Sequence, residues 1–135
     1  MILVETSAWV EYDRASGSPV DRRVAQLIGD EEPVAVTEPV AMEVLAGARD
    51  DAREAQLRRL LARFTPLPFD PVADFDGALK VYRECRRVGV TPRGLLDCCI
   101  VAVAMRHAVP VLAQDRDYAL MASVMALELD PVSSR

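Results

Sequence analysis

The 135-residue chain has room for one sizeable hydrophobic core and not for two comfortable ones, and its 51% hydrophobic content excludes a disordered chain. A net charge of -5 argues against a broad nonspecific surface for nucleic acid, although the 16 basic residues are nearly all arginine, the type suited to bidentate phosphate contacts. No apolar run approaches the roughly 18 residues of a membrane helix. The N-terminus carries no basic segment, apolar core or small-residue cleavage site of a signal peptide, so a cytoplasmic protein without a membrane partner is expected.

The opening Met1 to Val4 reads as a short strand buried on both faces, and it delivers Glu5, followed by the capping types Thr6 and Ser7, to its carboxyl end. A short helix follows from Ser7 to about Asp13. After the break at Gly17, Pro19 opens a second helix to Ile28, with Val20, Val24 and Leu27 on one stripe. Pro33 to Val36 is a second strand, ending at Thr37, and a third helix runs from Glu38 to Ala46. A fourth helix, Asp50 to Phe64, turns Leu57, Leu60, Leu61 and Phe64 inward. Pro66 to Phe69 suits only a sheet edge, because its two prolines cannot donate ladder bonds.

Pro71 to about Val88 forms a fifth helix, with Phe75, Leu79 and Tyr82 among its apolar positions. Leu95 to Met105 is apolar almost all round, which marks the central buried helix, with Asp97 in its first turns. Pro110 to Ala113 is a further strand, and Gln114 to Tyr118 leaves its end before a helix to about Met125. Ala126 to Asp130 is a candidate last edge strand, and Ser133, Ser134 and Arg135 a frayed tail. Strands alternating with helices imply a mostly parallel sheet covered on both sides, in one domain spanning 1–135 with no internal repeat or linker.

Chemistry has few candidate carriers. Three cysteines, two of them adjacent in the buried helix, suit neither a disulfide framework nor a zinc site and read as small hydrophobes. The single histidine, His107, ends that helix, where it complements the dipole. Acid and base work therefore falls to carboxylates or a metal. Ligand sites in open parallel sheets gather at the strands' carboxyl ends, where Glu5 arrives and where Glu43, Asp97, Asp115 and Asp117 can join it. Each has an ordinary reading alone: Glu5 and Asp97 as helix-start acids, Glu43 as a solvated helix residue, Asp115 and Asp117 as turn and cap residues. Their joint placement lifts the set above those readings. A pocket of carboxylates suits Mg²⁺, which keeps waters for substrate phosphates, and so suits phosphodiester hydrolysis. Arg93, about one turn before Asp97, is placed to touch a phosphate or to be an ordinary surface arginine, and Trp9 to pack or to stack on a base.

Four segments in order, Met1 to Trp9, Glu43 to Ala48, Leu95 to Ala102 and Ala113 to Tyr118, resemble the PIN-domain toxins of the VapC family over essentially the whole chain. The resemblance implies a PIN-like three-layer α/β fold, with a sheet of four to five short strands and about seven helices. It also implies an acidic pocket that binds Mg²⁺ or Mn²⁺ and cleaves RNA, a homodimer, and a VapB-type antitoxin that inserts a tail at the active site and regulates its own operon. Carried over by position, the metal-site acids fall on Glu5, Glu43, Asp97 and Asp115, with Asp117 as a neighbour. Thr6 matches the hydroxyl that supports the first acid.

One departure stands out. The family has an aspartate where this chain has Glu5, and the extra methylene moves the carboxylate by an amount that can cost about 10²-fold in rate. The expected function is that of a metal-dependent endoribonuclease toxin acting on transfer RNA, ribosomal RNA or messenger RNA. The alternative is a PIN-like binding module, weakened by Glu5, that serves mainly as the partner an antitoxin sequesters. A flavodoxin-like receiver domain also gathers acids at strand ends, but it calls for a lysine late in the chain, and the lone Lys80 sits mid-helix. Apolar residues on the early helices, Trp9 and Val10, with the stripe of Leu57, Leu60 and Leu61, supply the expected dimer surface.

Overall fold

In the computed structural model, which describes residues 1–133, strand β1 (Ile2–Val4) lies in the interior of the sheet with a parallel neighbour on either side. Its backbone N–H groups reach across in both directions, from Ile2 to the Pro33 carbonyl at 3.1 Å and from Leu3 to the Pro110 carbonyl at 2.9 Å. Leu3 and Val4 are fully buried. An unbroken apolar run, rather than an alternating one, is what such a position needs.

Chain order from there is helix α1 (Thr6–Asp13), α2 (Pro19–Gly29), strand β2 (Val34–Val36), α3 (Glu38–Ala46), α4 (Asp51–Leu61), β3 (Thr65–Pro66), α5 (Pro71–Arg87), α6 (Leu95–His107), β4 (Val111–Leu112) and α7 (Arg116–Ala122). The four strands are all parallel in the order β3-β2-β1-β4, and the seven helices flank them, giving the expected α/β architecture. The chain lays down β1, β2 and β3 outward in one direction and then returns to place β4 on the other side of β1. The order therefore reverses between β1 and β4, and loops leaving the two strands diverge to open a crevice there.

Local signals account for the element starts. Ser18 accepts from the Asp21 N–H at 3.0 Å with Pro19 behind it, and Asp70 accepts from the Val72 N–H at 2.9 Å with Pro71 behind it. The two-proline segment does form the sheet edge, but only over Thr65–Pro66, with the Leu67 N–H donating to Val36. The strand expected over Ala126 to Asp130 reduces to one bridge, Leu129 beside Val111, and α7 stops at Ala122.

Burial corrects two expectations, the apolar dimer surface and the frayed Ser133, and fixes the inward face of α5. Trp9 is 2% exposed and packs on Phe64 with ring centroids 5.4 Å apart, while Leu57 and Leu61 are buried beside it. These side chains belong to the core, because Phe64, just past the end of α4, covers the α1 indole; the indole N–H is buried without a partner, which offsets part of what the ring's burial contributes, and the ring offers no surface to a second chain. On α5 the inward stripe is Asp74, Ala78, Val81 and Cys85, whereas Phe75 and Leu79 face outward. Asp74 can occupy that face because Arg106 of α6 meets it with bonds of 2.8 and 2.7 Å. Gly77 brings the helices close: a Cβ there would sit 3.1 Å from that of Ala102. Finally, Ser133 is not frayed. It is buried, its hydroxyl accepting from the Ala113 N–H at 3.1 Å, while Ser134 and Arg135 lie outside the described residues.

The three cysteines are free and buried, and burial pushes the Cys98 thiol up to about 12, in line with inert packing residues. No helix of the described residues is long and apolar enough to cross a membrane.

Candidate active site

Glu5 leaves the end of β1 as the N-cap of α1. Its Oε2 accepts from the Ser7 N–H at 2.9 Å and from the Ser7 hydroxyl, and that hydroxyl in turn accepts from the Gln114 N–H at 2.8 Å, in the loop that leaves β4. One serine thus ties the first acid to both walls of the crevice. The carboxyl group is 3% exposed, and burial, opposed by the Ser7 hydrogen bonds and assisted by the charges of Asp97 and Glu43, raises its pKa to about 7.

Glu43 reaches the same place from α3, where its Oε1 accepts from the Thr6 hydroxyl at 2.7 Å. Asp97 stands in the first turn of α6 and accepts at Oδ1 from the Tyr118 hydroxyl at 3.1 Å. Burial is the main cause that raises Asp97 to about 6, with Tyr118 pulling down and the charges of Asp115, Glu43 and Asp117 pushing up. Ligand oxygens of Glu5, Glu43 and Asp97 lie within 4.8 Å of one another, and so do those of Asp97, Asp115 and Asp117. Asp97 joins the two groups.

The outer acids have a cation of their own. Arg93 donates from Nη2 to Asp115 at 2.6 Å and from Nε to Asp117 at 3.1 Å, and its backbone N–H bonds Asp117 at 2.9 Å. Asp115 also caps α7, accepting from the Asp117 N–H at 2.9 Å, so the capping role and the convergence hold together. No arginine or lysine among the described residues forms an ion pair with Glu5, Glu43 or Asp97.

All the acids singled out in the sequence therefore meet at the crevice, with Thr6 and Arg93 beside them, but the expected support of the first acid by Thr6 is corrected: the Thr6 side chain turns to α3 and bonds Glu43, and Ser7 holds Glu5. Two side chains that hydrogen-bond these acids escaped the sequence reading: Ser7, taken there only as a capping type, and Tyr118, taken as a helix start. Ser7 carried a signal in its place two residues after the acid, at the cap's hydrogen-bonding distance; Tyr118 carried none.

The hydrogen bonds leave Glu5 Oε1, Glu43 Oε2, Asp97 Oδ2 and Asp115 Oδ2 without a protein donor among the described residues. Every acid is thus oriented through one oxygen and open at the other. An all-oxygen donor set of this kind, with no protein cation on its inner half and no histidine or cysteine, fits a hard divalent ion such as Mg²⁺ or Mn²⁺ better than zinc, whose sites usually include nitrogen or sulfur ligands.

Comparison with known proteins bears on the family and the fold. Residues 2–124 match the PIN domain family. Ribonuclease VapC11 of Mycobacterium tuberculosis is 42% identical over 129 residues, covering 95% of this chain and 96% of that protein. Among solved structures, VapBC2 from Rickettsia felis bound to a promoter DNA fragment superposes with a TM-score of 0.75 at 15% identity, covering 96% of this chain and 98% of that one. The sarcin-ricin loop cleaving toxin VapC20 of Mycobacterium tuberculosis superposes at 0.67 with 17% identity, covering 95% and 99%. The fold agrees in both, and the sequence identity carries the assignment further: this chain belongs to the PIN-domain VapC family of ribonuclease toxins.

Proposed function

We propose that the chain is a divalent-metal-dependent endoribonuclease and the toxin half of a toxin–antitoxin pair, with Glu5, Glu43, Asp97 and Asp115 as its working acids and Asp117 as a neighbour that holds Arg93. The observation that carries this reading is the inner trio of carboxylates, drawn together without any protein cation and each left with one open oxygen. Such a cluster is costly until positive charge arrives. Glu5, Glu43 and Asp97, with Asp115 and Asp117 on the other side of Asp97, would hold Mg²⁺ or Mn²⁺, which would supply charge against the scissile phosphate and acidify water. The chain's own part is orientation. Ser7 fixes Glu5, Thr6 fixes Glu43, and hydrolysis at phosphorus leaves a 3′-hydroxyl and a 5′-phosphate.

RNA is the substrate class supported by the names of the relatives, and transfer, ribosomal and messenger RNA are all within it. Incubation with structured RNA and Mn²⁺, with and without chelator, tests the mechanism. Cleavage that persists at full rate in chelator overturns it.

A VapB-type antitoxin is the proposed partner, since the R. felis structure is that of a toxin–antitoxin complex, and a cytoplasmic setting gives both RNA and antitoxin access. A homodimer is proposed on a different surface from the one expected in the sequence: Val72, Phe75 and Leu79 are 86%, 59% and 55% exposed along one side of α5. A strictly monomeric mass at high concentration in light scattering excludes it.

The second reading, a weakened PIN-like module that acts chiefly by binding its antitoxin, draws on Glu5. Its longer side chain folds back so that Oε2 serves its own helix cap. Glu5→Asp decides between them. Faster metal-dependent cleavage marks an attenuated enzyme, and equal inactivity of both forms marks a binding module.

A further inference from the structure

Tyr118 is a large buried side chain in contact with the acids that the reaction as described does not use. Its ring is 0% exposed in the core, and its hydroxyl spans 21 residues of sequence to reach Asp97. A buried phenol must find an acceptor, and any backbone carbonyl satisfies that requirement. Here the acceptor is instead the one carboxylate shared by both acid groups. The helix that carries Tyr118 is also the helix whose start is Asp115 and whose first turn holds Asp117. The bond thus ties the acid of α6 to the element that presents the outer acids.

The geometry points to Tyr118 as a positioning residue for the metal site: by occupying Oδ1 of Asp97 it fixes that carboxylate's rotamer and turns Oδ2 toward the incoming ion. A phenol donates this bond as a neutral group. It orients Asp97 without cancelling the negative charge that attracts a cation, which an arginine or lysine in its place would do. Hydrogen-bond partners of metal ligands commonly set affinity in this way, and their removal costs about 10- to 100-fold.

This inference rests on the metal reading above, and its test separates the two. Mn²⁺ binding is measured by titration calorimetry on the full chain for the wild type, Tyr118→Phe, Asp97→Asn, and a variant with 4-aminophenylalanine at position 118, which keeps the ring and restores an N–H donor. Tyr118→Phe is expected to weaken Mn²⁺ binding by about tenfold and to raise by a similar factor the Mn²⁺ concentration needed for half-maximal RNA cleavage, with the rate at saturating metal retained. The amino variant is expected to recover affinity, and Asp97→Asn to lose it. A purely structural tyrosine would lower the melting temperature of the metal-free Phe variant and leave Mn²⁺ affinity unchanged. Unchanged affinity in Tyr118→Phe, or an amino variant as weak as Phe, overturns the positioning role while Asp97→Asn still shows the site. Full affinity in Asp97→Asn overturns the metal reading itself.

Discussion

Glu5 makes the stability of the metal-free protein fall as pH rises, and the effect can be sized. The carboxyl group moves from an ordinary 4.5 in the open chain to about 7 when folded, chiefly through burial. That rise corresponds to about 3 kcal/mol of preference for the protonated form. A carboxyl group whose folded pKa is raised contributes stability fully present below about 4.5 and lost as pH climbs through about 7. Asp97, raised from 3.8 to about 6, adds a slope of the same sign at slightly lower pH. Asp74 has the opposite sign: burial pushes it up, but hydrogen bonds and charge from Arg106 outweigh that and hold it below 3.8, so its window lies under the range tested. Urea denaturation in chelator at pH 5 and pH 8.5 should show the wild type losing stability across the interval. Glu5→Gln, which keeps an acceptor for the Ser7 N–H but carries no charge, should lose about 3 kcal/mol less. Saturating Mn²⁺ should flatten the wild-type slope, since a hundredfold excess over the dissociation constant returns about 2.7 kcal/mol. Wild-type stability that is level or rises from pH 5 to 8.5 in chelator, or a Glu5→Gln slope equal to the wild type, refutes the reasoning.

Arg106→Met should destabilise the fold by about 3 kcal/mol in urea denaturation, because it leaves the 1% exposed Asp74 carboxylate without its cation, and adding Asp74→Asn should recover most of the loss; a single-variant loss below about 1 kcal/mol would mean the pair behaves as a surface contact. Arg93→Met should tighten Mn²⁺ binding in calorimetry, since the guanidinium that pairs with Asp115 and Asp117 is a competing cation. Weaker binding would show instead that its side chain orients those acids.

The inner strands and the acids were legible in the sequence because their signals are local: a four-residue apolar run before Glu5, Pro19 after the break at Gly17, and an all-round apolar helix carrying Asp97. What escaped depends on partners distant in the chain. Nothing local in the sequence turns Asp74 inward; Arg106, 32 residues on, meets it from α6, while Phe75 and Leu79 face outward. Trp9 and the leucines of α4 read as surplus apolar surface until Phe64 is seen stacked against the indole. Ser7 reads as a cap until β4 is placed beside β1, which brings the Gln114 N–H to its hydroxyl across 107 residues. The fold class therefore followed from periodicity, whereas the wiring of the pocket required the sheet order.

That wiring has a consistent electrostatic logic. The inner acids are oriented by hydroxyl donors, Ser7 on Glu5, Thr6 on Glu43 and Tyr118 on Asp97. The outer pair is oriented by the guanidinium of Arg93. A hydroxyl fixes a carboxylate's direction while leaving its charge in place; a guanidinium fixes direction and cancels charge as well. Negative charge is therefore left uncancelled on the inner trio, where burial first and the neighbouring carboxylates second push up the pKa values of Glu5 and Asp97. A fold built only for stability would place an arginine against those three acids, as it does against Asp74. Leaving them to neutral donors costs stability in the metal-free chain and keeps the inner pocket open to a cation from solution.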